Sequence, residues 1–153
     1  MFSIPHVAIC REVRGFENIS EFDPQSLNPG QQILIYATLT NYQSLPTSAG
    51  YSTRTLSSLE VRSQDGRLIA RQPLGTAVDL SSSIRREYFL THPVTIPETL
   101  PTGDYIFRLS VYDLYSQQTS QSQIGVQITE DRSRQDETGD TVRSATGPAN
   151  IRR

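Results

Sequence analysis

The run "QQILIYATLTNY", residues 31–42, constrains the fold more than any other stretch. Ile33, Ile35, Ala37 and Leu39 fall on one side of an extended chain, and Leu34, Tyr36, Thr38 and Thr40 on the other. Side chains of a strand alternate between its two faces, so this period belongs to a strand, and its apolar content makes that strand central. The same period recurs in short runs between turn clusters. No stretch keeps a helical period over about a dozen residues. The pattern is all-β.

Along the chain, a first strand is expected over His6 to Gly15. An irregular passage follows, "FENISEFDPQSLNPG", with turn signals at Asp23-Pro24 and Asn28-Pro29-Gly30. After the central strand comes a polar connection, "QSLPTSAG", and a strand near "STRTLSSLEVRS". Asp65-Gly66 between extended segments is a strong hairpin signal, with "RLIARQ" as the returning strand. "PLGTAVDLSSS" reads as a weakly patterned connection. "IRREYFLTHPVTIP" reads as a strand that Pro93 and Pro97 confine to an edge or a bulged end. Residues 104–113 and 118–129 form a closing hairpin.

These runs make seven strands, which suits an antiparallel two-sheet β-sandwich of the immunoglobulin or fibronectin type III kind over residues 1–129. Residues 130–153 carry only two large aliphatics, Val142 and Ile151, too few to offset ordering entropy, so a disordered tail is expected there. A length of 153 residues is that of one domain with a core that needs no staples.

Charge and cysteine content narrow the function. The formal net charge is −2, and no basic block is long enough to track a phosphate backbone, so nucleic acid is not the expected partner. All 14 positive side chains are Arg, from which no function follows. The single Cys10 cannot form an intramolecular disulfide, and its place in "HVAICREV" suits a small buried group. No segment reaches the roughly 18 apolar residues of a membrane-spanning helix, and "MFSIPHVAIC" lacks the positive start of a signal peptide. The chain as given is therefore expected in the cytoplasm, or in the envelope or outside the cell if it is a domain of a longer exported protein.

Within "LPTGDYIFRLSVYDLYSQQ", Tyr105 comes two residues after the glycine of a Pro-x-Gly turn, at the start of the penultimate strand. A tyrosine corner sits there, its ring packed inward and its hydroxyl bonded to upstream backbone. Phe107 takes the core position where an antibody domain places its second cysteine. Asp113 ends the strand and is placed to cap the turn after it.

The pieces "CREVRGFENISEF", "PGQQILIYATLTNY", "GYSTRTLSSLEV", "DGRLI", "RREYFL" and "LPTGDYIFRLSVYDL", in that order over about residues 7–129, resemble an uncharacterised family of planctomycete bacteria. The resemblance implies a C-terminal β-sandwich module of larger, often envelope-associated or exported proteins.

Catalysis is not expected. No Gly-x-Ser-x-Gly elbow is present, and the two histidines, His6 and His92, each sit beside a proline without a Cys or carboxylate at zinc spacing. Asp113 is one acid in an otherwise neutral turn, too few for calcium. No cofactor and no metal is implied. The best candidates for a partner surface are Tyr51, Arg54, Arg85, Arg86 and Tyr88, since Arg and Tyr are enriched in interface hot spots. The competing reading of Arg85 and Arg86 is cross-strand pairing with Glu87, Asp79 or Asp113. The expectation is a non-enzymatic interaction module for a protein partner. The alternative is a carbohydrate-binding accessory module, which would need Tyr36, Tyr42, Tyr51 and Tyr88 to form one exposed aromatic platform.

Overall fold

A computed structural model describes residues 1–84 and 88–130. The chain is all-β, with two antiparallel sheets packed face to face. Nine strands are present among the described residues: β1 Ser3–Gly15, β2 Asn18–Glu21, β3 Gln32–Thr40, β4 Leu45–Thr47, β5 Gly50–Ser63, β6 Leu68–Ser81, β7 Tyr88–Thr95, β8 Gly103–Asp113 and β9 Gln118–Ile128. The first sheet has the order β2-β1-β3-β7. In the second, β8 and β6 take opposite edges of β5, and β9 follows β8. The short β4 pairs with the start of β5 at residues that also pair with β6, so it lies on the β8 side.

The strand count corrects the seven expected. The two additional strands are short: β2 lies in the passage read as irregular, and β4 in the polar connection. A larger correction concerns "PLGTAVDLSSS", which is no connection but the second half of the 14-residue β6. The register against β5 skips a residue at Leu74 and another at Ile69, two bulges. Each bulge inverts the alternation, so Ala70 and Gln72 face the core side below Leu74, and Ala77, Asp79 and Ser81 face it above. A strict period-2 pattern cannot survive two inversions. The Asp65-Gly66 hairpin is present, with Gly66 at φ 92° and a backbone bond from Ser63 N to Arg67 O of 2.9 Å.

The core lies between the sheets, with Ile33, Ile35, Ala37 and Leu39 of β3 facing Leu59, Val61, Phe107 and Leu109 of the second sheet. The opposite face of β3 is covered as well. β1 bends at bulges near Glu12 and Arg14, and the β1–β2 hairpin reaches back so that Glu17 N donates to Tyr36 Oη at 2.7 Å. Tyr36, Ala8 and Cys10 form a second, small core there with Val13 and Ile19. Gly50, at φ 129°, starts β5 where an added Cβ would come within 2.6 Å of Ser81 O, so glycine is required for β6 to pair with this end of β5. The expected tail, residues 130–153, lies outside the described residues except for Glu130.

Candidate functional site

The residues singled out as a partner surface do not come together. Tyr88 is 8% exposed, faces the main core, and packs on Tyr42 with ring centroids 5.3 Å apart. Tyr51 and Arg54 lie on opposite faces of β5, three residues apart in unbroken register, with Tyr51 half-buried and Arg54 exposed. Arg85 and Arg86, with Glu87, lie outside the described residues. The aromatic platform is absent too. Tyr36 is 0% exposed beneath the β1–β2 hairpin, with its ring between His6 and Phe89 at 5.7 and 5.5 Å.

The three residues given structural roles are all buried. Tyr105 packs into the main core and its hydroxyl donates to Pro101 O at 2.8 Å. Phe107 sits two residues further on in the same core. The Asp113 carboxylate accepts from Tyr115 N at 3.0 Å and Ser116 N at 3.4 Å in the turn after β8. It also accepts from Gln43 N at 2.8 Å, tying that turn to the chain leaving β3.

The described residues hold no cluster of three or more metal-ligating groups. A crevice of about 190 Å³ opens between β6 and β7, lined by Leu59, Val61, Ala70, Val94, Ile96 and Phe107, a set without nucleophile or acid. A shallower depression of about 430 Å³ includes Cys10, Arg11, Phe22 and Leu34. Burial, with Glu21 nearby, pushes the Cys10 thiol up to about 11, so it is protonated and unreactive near neutral pH. Arg11 stacks over Phe22 at 4.6 Å.

The surface that stands out is the outer face of the second sheet. Register places its side chains in rungs: Arg71–Glu60–Arg108–Gln123, then Pro73–Ser58–Ser110–Gln121, then Thr76–Leu56–Tyr112–Thr119, then Val78 beside Arg54 and Leu80 beside Ser52. At the upper end three large aliphatics are open to solvent, Leu56 at 45% and Val78 and Leu80 at 54% each. They flank Arg54. Single exposed aliphatics are ordinary, but a contiguous group on one sheet face is a mark of a contact surface. Toward the lower end the rungs turn polar and cationic, and below them Leu68, 47% exposed, and Ile106 stand beside Arg62. Of this surface the sequence reading found only Arg54, because Val78 and Leu80 lie in the stretch whose strand pattern the Leu74 bulge conceals.

No family model and no curated protein matches the chain. Among solved structures it is similar to a family 123 glycoside hydrolase from Clostridium perfringens, reported with the details of glycolipid glycan hydrolysis. The two share 10% identity over 86% of this chain and 28% of the hydrolase, with a TM-score of 0.50. It is also similar to the C-terminal domain of Wzt, at 14% identity over 85% of this chain and 74% of that one, TM-score 0.50. Spo0M, a sporulation control protein from Bacillus subtilis, matches at a TM-score of 0.43 with 10% identity over 82% of this chain and 50% of its own. The chain thus spans little more than a quarter of the hydrolase, and at these identities what it shares with the hydrolase and the Wzt domain is the fold.

Proposed function

We propose that this chain is a non-catalytic binding module that takes a protein partner on the outer face of its second sheet, at the upper end of β5 and β6. The observation that carries the reading is the strip of Leu56, Val78 and Leu80 around Arg54. Among the described residues β6 pairs with β5 alone, so there its other edge carries no strand. Its lower half is blunted by Pro73, the Leu74 bulge and Gly75, whereas Thr76–Ser81 runs without a bulge or a proline. An extended partner segment can add a strand there, with main-chain bonds supplying affinity and alternate side chains specificity. Aliphatic residues would meet the strip, and a carboxylate would meet Arg54.

Sugar stacking on a platform of Tyr36, Tyr42, Tyr51 and Tyr88 loses its basis, because Tyr36 and Tyr88 are buried. Peptide selection from a random phage-displayed library tests the protein reading. Selected peptides should alternate aliphatic residues with an acid, shift the backbone amides of Thr76–Ser81 in an NMR titration, and lose binding to Val78→Lys. Peptides that bind Val78→Lys as well as the parent chain, or that shift only the first sheet, would count against it.

A further inference from the structure

The lower end of the same face carries a different kind of surface. Glu60 stands in one rung between Arg71 and Arg108, and Arg62 lies two residues along β5. Arg62 engages the carboxylate directly, Nε to Glu60 Oε1 at 2.8 Å, and donates its other arm to Gly66 O at 2.7 Å. Hydrogen bonding from Arg62, with Arg108 and Arg71 adding their charge, holds Glu60 below the usual carboxylate range. One carboxylate thus faces three guanidinium groups.

Arg108 is held in place by a neutral acceptor: its Nε and one terminal nitrogen both donate to Gln123 Oε1, at 3.2 and 3.1 Å. The amide fixes the guanidinium without cancelling its charge, and a pre-positioned fork suits a carboxylate. Across the strands of this face Arg54, Arg62, Arg71 and Arg108 stand against Glu60 and Asp104, a cationic surplus on a chain whose net charge is −2.

Arg71 and Arg108 are separated by two inter-strand spacings, about 10 Å, which is the length of one disaccharide repeat in an extended polysaccharide. Glu60 lies between the two guanidinium groups, held by Arg62, and the rungs above flank that line with groups a sugar chain can use. Ser58, Ser110 and Gln121 present hydroxyl and amide groups, and Tyr112 presents a half-buried ring one rung further. We infer that the rung Arg71–Glu60–Arg108–Gln123 and the polar rungs beside it bind an acidic polysaccharide bearing one carboxylate per disaccharide. The site meets the aliphatic strip only where Tyr112 stands beside Leu56, and its charged rung lies two rungs below, independent of the protein partner.

The test is an NMR titration and calorimetry with a hyaluronan octasaccharide, which has that charge spacing, beside the neutral N-acetylchitohexaose, a polyglutamate peptide and a single-stranded oligodeoxynucleotide. Hyaluronan should shift the amides of Glu60, Arg71, Arg108, Tyr112 and Gln123. Binding should weaken at least tenfold in Arg71→Gln/Arg108→Gln, whose retained fold is checked by its amide spectrum. Val78→Lys should leave it unchanged, so that this inference and the protein-docking reading fail or hold separately. Absence of hyaluronan binding, equal binding by the double variant, or equal binding of the neutral glycan would overturn the inference. So would equal binding of the peptide or the oligonucleotide, because charge without sugar geometry would then suffice.

Discussion

Replacing Asp113 tests how the ends of the two sheets are held together. Its carboxylate is buried and accepts Gln43 N at 2.8 Å and Tyr115 N at 3.0 Å, with Ser116 N at a weaker 3.4 Å. Asp113→Ala leaves these donors without an acceptor in a site closed to water. A hydrogen bond to a charged group contributes about 1.5–3 kcal/mol, so two good ones lost together cost about 3–6 kcal/mol. That is a large part of the roughly 5–15 kcal/mol that stabilises a domain. Asp113→Asn keeps one acceptor and turns an amide NH₂ toward a backbone donor, and should cost about 1–3 kcal/mol by the same measure. Urea unfolding followed by tyrosine fluorescence reads both. A loss below about 1 kcal/mol for Asp113→Ala would refute the argument, since it would mean that water or other groups replace the carboxylate at little cost.

Other consequences follow from buried groups. His92 alternates with Leu90 and Val94 on the core side of β7, its Nε2 is buried without a hydrogen-bond partner, and burial lowers its pKa. The unfolded chain therefore binds the proton more readily than the folded one. Stability should be level above the unfolded value of about 6.5 and fall as pH drops below it, and His92→Gln should flatten that slope in urea midpoints measured between pH 8 and pH 5. The Thr55 hydroxyl is buried and has no partner, so Thr55→Val should leave stability unchanged or raise it by up to about 1 kcal/mol, and a clear loss in urea midpoint would contradict that. Cys10, buried with its thiol pushed up to about 11, should react with a thiol reagent such as 5,5′-dithiobis(2-nitrobenzoate) only on unfolding, giving a labelling rate that follows urea concentration.

What the sequence disclosed was local, and what it withheld depended on distant parts of the chain. The alternation of β3 and β8 places Ile33, Ile35, Phe107 and Leu109 in the core because both strands are central, β8 in unbroken register with both neighbours, and β3 with β7 throughout and with β1 along Leu34–Thr38. The Asp65-Gly66 turn and the Asp113 cap are written within a few residues, so they too are legible. Tyr36 is different. Its alternation puts it away from the main core, yet the β1–β2 hairpin bends over that face and buries it, a long-range event that no window around Tyr36 records. β6 was obscured by its bulges, and with it the strip that gives Arg54 its apolar surroundings.

The most direct test of the docking face is a photocrosslinking scan with benzoylphenylalanine placed singly at Thr76 and Leu80 on β6, and at Thr95 on the edge strand β7 of the other sheet, in cells that express the chain naturally. The account predicts a discrete protein adduct from Thr76 and Leu80, lost when Val78→Lys is added, and none from Thr95. Adducts from Thr95 alone, or adducts from Leu80 that persist with Val78→Lys, would contradict it.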